Sequence, residues 1–241
     1  HWPLQVPDDY LDRYAGVYDE GYDVLRARRV ARAGALRVVP ESDSDEGFER
    51  VGPAWGDLDS DAKNHYAKRM EIYAAMVENL DDHVGRLTAY LESIGELENT
   101  VILFMSDNGA ESDERDLFGG TAARVSRGDF DNSLENLGRF SSYISYGPGW
   151  AQASTAPFNR FKGFVNDGGT RVPAFILHGG GTNPVDLDNQ YLSVMDIAPT
   201  ILELAGVEPS GSVFRGREVM PIEGRSFASV LVGGDQPVYE A

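Results

Sequence analysis

The stretch 101-VILFMSDNGAESD-113 decides the fold. Five apolar residues, Val101 to Met105, run without a break into Ser106, Asp107, Asn108 and Gly109. A short apolar run bounded by turn residues is the pattern of a buried strand. Upstream, Met70, Tyr73, Val77, Leu80, Val84, Leu87, Leu91 and Ile94 recur at steps of three and four within residues 61–94. That spacing lines one face of a long helix, with Asp59 or Ser60 able to cap its start and Gly95 its end. A helix, a short loop and a buried strand form half of a β-α-β unit. The pattern predicts an α/β fold built on a mainly parallel sheet.

Working outward, residues 22–33 are Arg-rich and read as helix, and a polar helix can start near Asp8. Residues 40–56 are acidic, carry Gly and Pro, and read as loop. Residues 110–160 show little periodicity and many Gly, Ser and Asn, and so long an irregular segment inside a domain is usually functional. The runs 161-FKGFV-165 and 171-RVPAFIL-177 read as strands, the second with Pro173 at its start or on an edge, and 166-NDGG-169 between them reads as a turn. The segment 196-DIAPTILELAGV-207 reads as a helix with Asp196 as N-cap, Pro199 in the first turn and Gly206 at the end.

Composition narrows the chemistry. There is no cysteine, which excludes disulfides, thiolate metal ligands and a Cys nucleophile within the chain. The formal net charge is -18, which argues against nucleic acid or an anionic membrane as partner. No apolar run approaches the roughly 20 residues of a membrane-spanning helix. Lys63, Lys68 and Lys162 are the only lysines. An anionic substrate would therefore need a local positive feature to overcome the overall field.

Three places can carry chemistry. In a parallel sheet, ligands bind beyond the carboxyl ends of the strands, where Asp107 and Asn108 stand. Their carboxylate and amide oxygens are hard ligands suited to Ca²⁺ or Mg²⁺, although Asp-Asn-Gly is also ordinary turn chemistry. Lys162, beside the Gly168-Gly169 turn, can place a point charge on an anionic oxygen, or stand as a solvated surface charge. His1, followed by the rigid 2-WPLQVP-7, can present a fixed imidazole, or fray as a terminal residue. The carboxylate pairs Asp8-Asp9 and Asp81-Asp82 are rejected as metal ligands. His65, His83 and His178 read as helix-flanking or loop positions.

An ordered series of segments resembles the sulfatase family, bacterial arylsulfatase type, of the alkaline phosphatase superfamily. It includes 1-HWPLQVP-7, 71-EIYAAMVENLDDHVGRL-87, 99-NTVILFMSDNGAE-111 and 131-DNSLENLG-138. It continues through 146-YGPGWAQASTAP-157, 162-KGFVNDGGTRVP-173, 194-VMDIAPTILELAGV-207 and 224-GRS-226. The resemblance implies an alkaline-phosphatase-like sandwich of helices around a mainly parallel sheet, present only in part. It implies that Asp107 and Asn108 are two ligands of one calcium ion. It further implies that His1 and Lys162 contact the sulfate group, and that the substrate is a sulfate ester, an aryl sulfate or a sulfated glycan. Asp167 stands where the family usually has Glu or Gln.

The family's nucleophile is a formylglycine made within a C-x-P-x-R motif, and no such motif occurs in this chain. The family's first Asp-Asp calcium pair and its small C-terminal antiparallel sheet are also missing. The expectation is that residues 1–241 are the C-terminal portion of the large catalytic domain, inactive and poorly folded alone, with the nucleophile upstream. Beside this reading stand a phosphomonoesterase or phosphodiesterase of the same superfamily, and a non-catalytic fragment or sulfated-ligand binder.

Overall fold

The computed structural model describes residues 2–36, 47–114, 124, 128–177, 191–209, 211–231, 233 and 237–239. The chain divides into two compact units, His1–Leu177 and His178–Ala241.

In the first unit, helix α1 (Gly21–Ala35) forms over the Arg-rich segment expected to be helical, and the long helix α2 (Ser60–Ser93) forms where periodicity places it. The Asp59 carboxylate accepts from the Ala62 N–H at 2.8 Å and caps α2. Its exit is closed by Gly95, at φ 74°. The segment from Asp8 to Glu20 is a series of turns rather than a helix, with Tyr10 N–H on Pro7 O and Arg13 N–H on Tyr10 O. A helix not foreseen from periodicity, α3 (Gly147–Ser154), follows Tyr146, with Pro148 in its tolerated first turn.

The core of this unit is aromatic. Trp150 is fully buried and meets Tyr18, Tyr22 and Trp55 edge-on, at centroid distances of 5.6, 5.5 and 5.7 Å. Its indole N–H donates to Tyr66 O at 2.8 Å. Met70, Ile72, Leu137 and Ile144 continue the core. The start of the chain is tied onto it. Leu4 N–H donates to Ile144 O and Val6 N–H to Gly138 O, each at 3.0 Å. These bonds fix Leu4 and Val6 of 1-HWPLQVP-7 to the 138–144 segment.

Only the first half of α2 packs in this core. Val77, Leu80, Leu87 and Ile94 lie about half exposed, between 48% and 52%. Strand β1 (Ile102–Met105) is half-buried along its length rather than buried as its composition predicts. The reason is its pairing: among the described residues its one partner is β2 (Ala174–Leu177), on one edge. The pair is antiparallel, with Ile102 opposite Leu177 and Met105 opposite Ala174. Phe104 and Phe175 stack across it at 5.1 Å. No parallel pair occurs among the described residues.

Antiparallel pairing sets where function can sit. The carboxyl end of β1 meets the amino end of β2, so the 106–110 turn lies against the 159–173 segment. Ser106 N–H donates to Pro173 O at 3.2 Å and Gly109 N–H to Gly169 O at 3.0 Å. The residues 161–165 form a turn, not the strand their alternation suggests, because Gly163 takes φ 94°. The turn expected at 166–169 is a single helical turn, α4 (Asp167–Thr170).

In the second unit, a 3₁₀ turn over Val194–Asp196 leads into α5 (Ile197–Leu204). Asp196 is the N-cap residue of α5 by position, as expected, but its side chain makes no cap hydrogen bond there. It closes a capping box on the 3₁₀ turn instead, where the Ser193 hydroxyl accepts from Met195 N–H and the Asp196 carboxylate accepts from Ser193 N–H. Asp196 is fully buried, and it also accepts from Arg225 N–H at 2.8 Å and Tyr239 Oη at 2.5 Å. Gly224 permits this, since a Cβ there would collide with Met195 O. Gly206, at φ 66°, closes the α5 end as expected. Short strands β3 (Val213–Phe214) and β4 (Arg217–Glu218) pair as a hairpin, and α6 (Ala228–Leu231) follows.

Two stability predictions follow from these contacts. Replacing Gly109 by Ala drives a Cβ into the Gly168 carbonyl and within 2.9 Å of Gly169 Cα. Gly109→Ala should cost about 1–3 kcal/mol by urea denaturation, as overpacking does. An unchanged midpoint would contradict the tight junction. For Asp196, burial raises the carboxyl, but the bonds from Tyr239, Arg225 and Ser193 outweigh it and hold it below its ordinary value. A lowered folded pKa stabilises above the unfolded value of about 4 and ceases to do so as pH falls through the folded value. Asp196→Asn should therefore lower the opening free energy of the α5 amides by about 2 kcal/mol near neutrality. In hydrogen exchange the gap to wild type should narrow below about pH 4; a gap constant with pH would contradict it.

Candidate active site

The turn after β1 begins with a fixed scaffold. Ser106 Oγ donates to Asn108 O at 2.8 Å, and Asn108 Nδ2 donates to Gly109 O at 3.0 Å. The second bond spends the amide nitrogen of Asn108 and leaves its carbonyl oxygen as an acceptor. Asp107 is exposed, and its carboxylate forms no hydrogen bond or ion pair among the described residues. Both oxygens are available to a hard cation.

Gly109 is needed for close approach rather than for a left-handed backbone: its φ is not positive. Gly168 and Gly169 are constrained in the same way, since a Cβ on either would collide with the carbonyls of Arg160 and Phe164 respectively. Three glycines thus let three backbone segments touch.

That contact delivers Lys162. Its N–H donates to Ala110 O at 3.0 Å. Its Nζ pairs with Glu111 Oε2 at 2.9 Å, and Glu111 Oε1 accepts from Asp113 N–H at 3.0 Å. The hydrogen bond and charge of Glu111 raise the Lys162 pKa against a smaller desolvation cost, and Asp107 and Asp113 add to the rise. Burial would raise Glu111, but the bond from Lys162 and the Asp113 N–H hold it below its ordinary value. The ion pair is formed and charged at neutral pH. Lys162 remains 45% exposed, so its ammonium faces solvent with donors to spare.

The structure thus brings Asp107, Asn108 and Lys162 together on one edge. His1 lies outside the described residues, as does His178. Trp2, next to His1 in sequence, has its ring centroid 6.0 Å from Lys162 Nζ. Among the described residues no group of three or more His, Cys, Asp or Glu side chains could hold a metal ion. Asp107 and Asn108 supply one carboxylate and one amide carbonyl oxygen. Three of the four rejected carboxylates have other partners: Asp8 pairs with Arg139, Asp9 with Arg13, and Asp82 accepts from Tyr10 Oη. Asp167 is exposed at the start of α4, with Arg171 at 3.5 Å.

Sequence reasoning gave Glu111 no role. Its signal was position: a carboxylate four residues beyond Asp107, on the same irregular segment that receives Lys162.

The family model named Sulfatase matches residues 1–207. An uncharacterized sulfatase of Schizosaccharomyces pombe is 44% identical over 241 residues, which is 100% of this chain and 43% of that protein. An arylsulfatase of Klebsiella aerogenes is 34% identical over 231 residues, 95% of this chain and 49% of that protein. A steryl-sulfatase of Mus musculus is 30% identical over 151 residues, 62% of this chain and 20% of that protein. The chain spans less than half the length of each of these curated relatives. With a family model covering residues 1–207 and an arylsulfatase 34% identical over 95% of its length, the chain belongs to the Sulfatase family.

Proposed function

We propose that the protein containing this chain is a sulfuric ester hydrolase acting on an aryl sulfate, and that residues 1–241 supply one wall of its active site. The observation that carries the reading is the convergence of Asp107, Asn108 and Lys162 on one strand end in a Sulfatase-family chain. The similarity to an arylsulfatase favours the aryl ester over other sulfate esters.

A sulfate ester is an anion whose oxygens gain negative charge as the S–O bond to the leaving group breaks. Preorganised positive groups stabilise that change more than they stabilise the ground state. In a chain of net charge -18, Lys162 is the local feature that meets this need. Its ammonium is already oriented by Glu111, so orienting it costs nothing at the moment of reaction. His1 would approach the same sulfate from the segment that carries Trp2, as a sulfate contact or as a proton donor to the leaving oxygen.

Two absent groups complete the reading. The Asp107 carboxylate and the Asn108 carbonyl oxygen fit one calcium ion by their chemistry and their lack of competing partners, and its remaining ligands would come from the rest of the protein. Calcium held there would supply positive charge to the sulfate oxygens. The nucleophile would be a formylglycine upstream, supplying an oxygen nucleophile for sulfur. The helices of the first unit would then flank a mainly parallel sheet, with β1 inside it and β2 as an antiparallel neighbour.

In the full-length protein, Lys162→Ala should lower aryl sulfate hydrolysis by about two orders of magnitude or more, as loss of a transition-state donor does. Circular dichroism should stay unchanged. Near-wild-type turnover would remove Lys162 from the reaction. Asp107→Ala should weaken calcium binding in a direct titration. An unaltered isotherm would count against the metal role.

A further inference from the structure

We infer that Glu111 is the positioning residue of Lys162, a rigid arm that fixes where the ammonium meets the sulfate. The inference rests on the proposed role of Lys162 in sulfate ester hydrolysis.

Glu111 is bound at both ends. Oε1 accepts from the N–H of Asp113, two residues on, and this locks the side chain against its own backbone. Oε2 is then left aimed at Lys162 Nζ, 2.9 Å away. The side chain of Glu111 is only 22% exposed, so it has little room to swing. Lys162 is held twice as well, by its N–H on Ala110 O and by its ammonium on Glu111. A lysine side chain is otherwise flexible and carries about 2 kcal/mol of rotamer entropy. One anchored carboxylate removes much of that freedom before substrate arrives.

Stability does not explain the pair. A partly exposed ion pair contributes about 0–1 kcal/mol to folding. It also sets a negative charge beside a site that must receive an anion, which works against affinity. A carboxylate in that place is accounted for by geometry. One ammonium hydrogen goes to Glu111, and two remain for sulfate oxygens. Glu111 touches no reacting atom; it acts through Lys162.

The test is a double-mutant cycle in the full-length protein, with an aryl sulfate as substrate. Glu111→Gln keeps the shape and the acceptor for Asp113 N–H but removes the charge. Its kcat should fall about 10- to 100-fold, as a small misplacement of a catalytic group does. KM should change far less, since the repulsive charge is lost along with the alignment. In a Lys162→Ala background, the same Glu111→Gln change should lower kcat less than twofold. Equal losses in both backgrounds would show that Glu111 acts on the fold rather than through Lys162, and would overturn the inference. So would a Glu111→Gln enzyme with wild-type kcat beside an inactive Lys162→Ala enzyme. If Lys162→Ala itself were active, the reading of Lys162 would fail, and the inference with it.

Discussion

The contact on which the site depends is backbone against backbone. Gly109 N–H donates to Gly169 O, in a place where a single methyl group would prevent it. The candidate site hangs from that junction. It stands where the carboxyl end of β1 meets the amino end of β2, and it sets the Asp107 turn beside the Lys162 turn. No side chain intervenes, so the spacing is set by covalent geometry and van der Waals radii rather than by packing that could relax. The proposed role, placing charge on a small anion, gains most from that kind of rigidity.

Electrostatics then follows from placement. The chain is strongly acidic, and the cation of its candidate site is bordered by Glu111, Asp107 and Asp113. These acids have different tasks. Glu111 is spent on Lys162 and the Asp113 N–H, whereas the Asp107 carboxylate has no such commitment among the described residues. One acid is structural to the lysine, and another is left open for a cation. The same division separates Asp196 in the second unit, whose three hydrogen-bond donors consume its charge in holding α5 to the 224–227 segment and Tyr239.

What could be read from the sequence was local. Helix α2 announced itself by periodicity, its Asp59 cap and Gly95, because each signal lies within a few residues of what it controls. The strand at 102–105 was legible for the same reason. What was not legible depended on distant partners or on one residue's backbone. The alternation of 161-FKGFV-165 imitates a strand, and the positive φ of Gly163 overrides it. Asp196 sits where an N-cap would, but burial and the approach of Arg225 and Tyr239 give it other work. The antiparallel pairing of β1 with β2, across about seventy residues of sequence, has no local signature. At the candidate site, Asp107, Asn108 and Lys162 were candidates by residue type, and resemblance implied their roles. Glu111 emerged only when the fold brought its carboxylate to the lysine.

The central claim is that the turn after β1 and the turn bearing Lys162 are one anion site. A crystal structure of the full-length protein with an aryl sulfate and calcium tests it most directly. The account predicts calcium about 2.3–2.6 Å from oxygens of Asp107 and Asn108. It also predicts a sulfate oxygen within hydrogen-bond reach of Lys162 Nζ, with Glu111 still paired to that nitrogen. Sulfate bound away from Lys162, or calcium held without Asp107, would contradict it.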